Sequence, residues 1–129
     1  MALNNISTAC RNAACNGYVD QVDVGATDPT GDIQIYSAGF ATLLAELEWS
    51  NPAFGNAAVG VATAAAITGE TSAPASGTAA VCRVRDRANA TCWQGSVGTA
   101  GADVILNSVA ITIGQTVDLS TAVFTVPAS

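Results

Sequence analysis

The spacing of apolar positions changes about a quarter of the way along this chain. In ISTACRNAACNGYVDQVDVG, the residues Ile6, Cys10, Ala13, Ala14 and Tyr18 recur at helical intervals. Asn5 or Ser7 can cap the start and Gly25 can stop the end, which predicts a helix from Ile6 to Val22 within an N-terminal segment, residues 5–24. DVGATDPTGD, residues 23–32, then has the composition of a loop. Beyond it the period is two. DIQIYS alternates about Ile33 and Ile35. TLLAELEWS sets Leu43, Ala45, Leu47 and Trp49 on one face against Leu44, Glu46 and Glu48 on the other.

NPAFG, Asn51 to Gly55, reads as a turn carrying one apolar plug, Phe54. VGVATAAAITG reads as a small-residue strand, ETSAPASG as a loop, and TAAVCRVRDRANATCWQGSVG as a hairpin about Asp86 to Asn89. The last third supplies Val109, Ile111 and Ile113, then Val117 and Leu119, then Phe124 and Val126. One helix followed by seven or eight short strands predicts a mainly β fold. The expected form is an antiparallel β-sandwich or jelly-roll-like domain over residues 32–127, within a single domain of residues 1–129.

Composition restricts the chemistry. There is no histidine, so Ser–His and Cys–His nucleophiles and mixed Cys/His zinc sites are excluded. The only cations are Arg11, Arg83, Arg85 and Arg87, and a net charge of −6 argues against nucleic acid as partner. No apolar run is long enough to span a membrane, and no membrane partner is expected. Charged residues make up only 11% of the chain, so its surface must be largely Thr, Ser, Asn, Gly and Ala. That suits packing against copies of itself or a larger shell.

Four groups of residues are candidate sites. Glu46 and Glu48, two apart on one strand face, match the carboxylate pairs of glycosidases, but no aromatic-lined cleft accompanies them, and a solvated or intersubunit face is the plainer reading. Asp23, Asp28 and Asp32 offer oxygen to calcium without the spacing of a calcium loop, so turn-forming aspartates are favoured and no cofactor is expected. Arg83, Arg85 and Arg87 form a basic ridge on one strand face, a candidate contact with carboxylates of a neighbouring subunit, with pairing inside the chain as the alternative. The sequons at Asn5 and Asn89 carry no weight.

Cys10, Cys15, Cys82 and Cys92 are disulfide candidates. Their gaps do not match paired zinc knuckles. Positions five apart on a helix diverge, so Cys10 and Cys15 should not bridge each other; at least one of them is expected to reach another element or another subunit. Cys82 and Cys92 would face each other if the hairpin loop were Asp86 to Ala88. Buried free thiols are the alternative. The opening MALNNISTACRNAAC lacks the basic start and long apolar core of a secretory signal, whereas disulfides persist in oxidising surroundings.

The run IQIY, LLAELEWSNPAFGNAAVGVATA and GTAAVCRVRDRANATCWQGSVGTAGADVILNSVAITIGQTV resembles a group of small tailed-bacteriophage virion proteins, over roughly residues 5–126. Its most specific pieces are Asn51–Gly55 and Gly95–Asn107. The resemblance implies a non-enzymatic capsid decoration or cement protein, synthesised in the host cytoplasm and docked on the capsid exterior. Its partners would be the major capsid protein and copies of itself, a trimer being favoured. Leu44 and Val104 are apolar residues available for such contacts. The cysteines depart from the group's pattern, which suggests added covalent stapling. A tail, neck or fibre-associated component is the alternative. A carbohydrate-binding adhesin is less favoured, because Tyr18, Tyr36, Trp49 and Trp93 look too few and scattered along the chain.

Overall fold

The computed structural model describes residues 5–119 and 122–126; the expected sandwich residues 120, 121 and 127 lie outside these. Helix α1 runs Thr8–Val19, and Ser7 caps it by accepting the Cys10 N–H at 3.2 Å. A 3-10 turn, Asp20–Asp23, continues it, and Gly25 (φ 112°) redirects the chain. The inward face differs from the expected one. Cys10, Ala13, Ala14 and Tyr18 are exposed, while Cys15, Val19 and Val22 are buried.

The reason is that this helix docks partly through polar side chains. Asn12 and Asn16 accept the backbone N–H groups of Gly60 and Ala57, both at 2.8 Å. Arg11 donates to the carbonyls of Val59 and Val126 at 2.9 and 3.0 Å. Positions 11, 12, 15, 16 and 19 lie on one helical stripe, so the polar residues complete the face that the apolar ones begin.

Of the described residues 35% are in strands and 16% in helices, and the antiparallel-rich sheet curls into a β-sandwich-like fold, as expected. The main sheet is formed by β1 (Asp32–Tyr36), β2 (Leu43–Glu48), β5 (Val81–Arg85), β6 (Thr91–Gly98) and β7 (Val104–Ile105), ordered β2-β1-β5-β6-β7. Two further two-stranded sheets pair β3 (Val61–Thr63) with β9 (Val123–Thr125), and β4 (Gly77–Thr78) with β8 (Ala110–Ile111). All are antiparallel except β6 with β7. The strands read into the last third shrink to short pieces here, and Ile113 is exposed.

Two bulges decide which residues reach the core. Ile35 pairs with Ala45 but Tyr36 with Leu43, so Leu44 is the extra residue of β2. It turns inward and is fully buried beside Gly77, which removes it as a subunit contact. Val104 is half-buried against the same core. In the hairpin, Val84 pairs with Trp93 but Arg85 with Thr91, leaving Cys92 unpaired across the ladder. Its loop is longer than a three-residue turn, with the Asp86 carboxylate accepting the N–H groups of Ala88 and Ala90. Cys82 therefore faces Gly95, and the expected Cys82–Cys92 juxtaposition does not form.

Candidate functional site

Alternation divides the sheet into a polar face and an apolar one. On the polar face the register aligns Glu48, Asp32 and Arg85 in one row and Glu46, Gln34 and Arg83 in the next. Arg85 grips Asp32 with Nε 2.8 Å from Oδ1 and a second bond to Oδ2, and lies 3.5 Å from Glu46. This two-pronged bond raises the Arg85 pKa. Arg83 donates to Gln34 at 2.9 Å and to the Tyr36 hydroxyl at 2.6 Å, while its guanidinium lies 4.9 Å above the Tyr36 ring. Gln34 passes the chain on to Glu46 at 2.8 Å. Arg83 and Arg85 roof the neighbouring strand β1, so Asp32 and Gln34 are buried.

This accounts for most of the candidates. Arg83 and Arg85 meet acceptors of their own chain, and Arg87 lies past the end of β5, where it donates to the Asp28 carbonyl at 3.0 Å. Glu46 is held by Gln34 and Arg85, and Glu48 is exposed. Asp23, Asp28 and Asp32 take separate partners: the Ala53 N–H, the Asn89 amide and Arg85. Among the described residues, no three His, Cys, Asp or Glu side chains gather as metal ligands would.

All four cysteines are free thiols, so the bridges expected within the chain do not form. Cys10 is exposed on α1. Cys15 is buried and its thiol donates to the Phe124 carbonyl at 3.4 Å. Burial pushes the Cys82 and Cys92 thiols up to about 11, aided at Cys82 by the charge of Asp103 and at Cys92 by that of Asp86.

The two stretches that carry the resemblance act as braces. At the first, Asp23 accepts the Ala53 N–H at 3.0 Å, and Ala53 and Phe54 are buried. Burial raises the Asp23 pKa, opposed by the Ala53 bond. At the second, the Asp103 carboxylate accepts both the N–H and the hydroxyl of Ser96, at 2.8 and 3.1 Å, and Ser96 accepts the Asp103 N–H at 3.0 Å. These bonds lower the Asp103 pKa. Gly95 packs close to this brace: a Cβ there would stand 3.0 Å from the Asp103 carboxylate and 3.1 Å from its Cβ, so the Asp103 side chain would have to give by a few tenths of an ångström.

The apolar face holds the feature that sequence reasoning missed. A cavity of about 310 Å³ lies where α1, the main sheet and β9 meet, and both bracing stretches border it. Five of the chain's seven aromatic residues line it: Tyr18, Trp49, Phe54, Trp93 and Phe124. Tyr18 stacks on Phe124 at 4.1 Å and tilts against Trp93 at 4.8 Å. Of the four aromatics judged scattered, three converge here, which corrects that reading; only Tyr36 lies elsewhere, on the polar face. Their separation in sequence gave no periodic signal. Trp49 is 2% exposed, and its Nε1–H has no acceptor among the described residues. Such a buried donor costs about 1–3 kcal/mol.

No family model, curated protein or solved structure matches the chain.

Proposed function

We propose that this protein is a non-enzymatic virion component of a tailed bacteriophage, a decoration protein that binds the outside of the head shell and reinforces it. The observation that carries this reading is the role of Asn51–Gly55 and Gly95–Asn107. The stretches that resemble phage virion proteins are spent on holding the fold, through Asp23 with Ala53 and Asp103 with Ser96. A surface poor in charge and rich in small side chains supports adhesion to a lattice, and a closed trimer is the favoured form.

The partners are the major capsid protein and copies of this chain, and the site of synthesis is the host cytoplasm. Stapling by cysteine, if part of this role, runs between subunits through Cys10, which is exposed while Cys15 and Cys82 are buried. Quantitative mass spectrometry of purified particles, run without reductant, tests the proposal. Hundreds of copies per particle support a decoration protein. A handful of copies indicates a tail or neck component, and absence from the particle overturns the virion reading altogether.

A further inference from the structure

We infer that Tyr18 and Trp93 form the platform of a binding site for a neutral oligosaccharide, seated in two adjoining hollows that share these rings. This goes beyond the virion reading and does not depend on it.

Three observations carry it. Tyr18 is 40% exposed, the most exposed of the seven aromatic residues, yet its ring is held in place by Phe124, stacked at 4.1 Å, and by Trp93 at 4.8 Å. A ring fixed in advance loses little freedom on binding, and an aromatic face suits the C–H face of a pyranose. The same two rings line two hollows. One is the cavity of about 310 Å³ towards β9, and the other, of about 220 Å³, is bounded by Gln21, Asp86, Thr91 and Cys92. A wall common to both gives neighbouring places for successive sugar units. Each hollow also carries a carboxylate fixed by the backbone. Asp86 accepts the Ala88 and Ala90 N–H groups through Oδ1, and Asp103 accepts Ser96 through Oδ2. The second oxygen of each has no donor among the described residues and is open to a hydroxyl group.

The rims limit the class further. Gln21, Thr91 and Gln94 are exposed and add two amides and a hydroxyl, which serve sugar hydroxyls as donors or acceptors. The described lining of neither hollow contains an arginine, and both fixed charges are negative in a chain of net charge −6. Acidic sugars and phosphates are therefore disfavoured. A cationic peptide would meet the carboxylates but leave the amides and the hydroxyl without a role.

The test titrates the full chain, kept reduced, with cellotetraose, chitotetraose, mannotetraose and galactotetraose. Tetragalacturonate is the acidic counterpart and tetralysine the cationic one. Tryptophan fluorescence and the indole N–H signals of ¹⁵N-labelled protein report binding. At least one neutral tetraose should saturate in the millimolar range or below and move the Trp93 signal, and should bind more tightly than its own monosaccharide. Tyr18→Ala, on the exposed side of α1, should weaken that binding about ten-fold, the upper end for one aromatic contact. Retention of the chain on the matching insoluble polysaccharide would assign the site to a polymer, and binding of the tetraose alone to a free oligosaccharide. No saturable binding of any neutral tetraose, equal or tighter binding of tetragalacturonate or tetralysine, or unchanged affinity in Tyr18→Ala would overturn the inference. Because the probe comparison uses only the native chain, it holds even if the variant folds poorly.

Discussion

Leu44 separates the two accounts of this sheet most sharply. Strict alternation places it on the outer face with Glu46 and Glu48, where truncation would weaken assembly and leave the isolated chain nearly as stable. The bulge instead buries it completely. Leu44→Ala removes three carbons, about 2.4 kcal/mol at roughly 0.8 kcal/mol each, and the residual cavity brings the loss to about 3–4 kcal/mol.

For a chain of this length that lowers the melting temperature by about 10–15 °C. Gly77 supplies an internal control. A Cβ there would stand 3.0 Å from Leu44 Cδ2 and 3.6 Å from Cδ1. Gly77→Ala alone should therefore cost about 1 kcal/mol through overpacking. With alanine at 44 those atoms are gone, and the added methyl fills part of the space while stiffening the strand. The same substitution should then recover about 1 kcal/mol. Urea unfolding of the four proteins measures this cycle. A loss under about 1 kcal/mol for Leu44→Ala, or an equal cost of Gly77→Ala in both backgrounds, would refute the bulge argument.

Native-state labelling with a thiol reagent should modify Cys10 promptly and Cys82 only on unfolding, with Cys92 slow because its thiol is pushed up to about 11; rapid labelling of Cys82 would contradict its burial. The Asp103 carboxyl is lowered in the folded state, so its contribution is present above the ordinary value of 3.8 and lost as pH falls through the folded pKa. Asp103→Asn should accordingly flatten the acid-side decline of the urea midpoint, and a decline as steep as the native one would exclude this role. Asp23 has the opposite sign: burial raises its folded pKa, so the stability it contributes is present below the ordinary 3.8 and lost as pH rises through the folded value. Asp23→Asn, which keeps an acceptor for the Ala53 N–H, should gain on the native chain as pH climbs from about 3 to about 6. A constant difference between the two would show that Asp23 does not titrate in that window.

Local pattern alone determined the class of this fold. A helix cap at Asn5 or Ser7, the loop before residue 32, the strands about Ile33 and Leu47 and the hairpin before Trp93 follow from spacing and turn chemistry, which act over a few residues; the fold places the cap at Ser7. Tertiary structure decided what those rules do not register. The inward stripe of α1 includes Arg11, Asn12 and Asn16 because distant backbone groups at 57–60 and 126 require partners, and an apolar-period reading passes over polar residues that serve them. One-residue bulges sent Leu44 into the core and took Cys92 out of register with Cys82, since a period of two carries no memory past an inserted residue. The cavity was the least legible feature. Tyr18, Trp49, Phe54, Trp93 and Phe124 come from α1, the main sheet and its flanking segments, and only the closing of the sandwich brings them to one place.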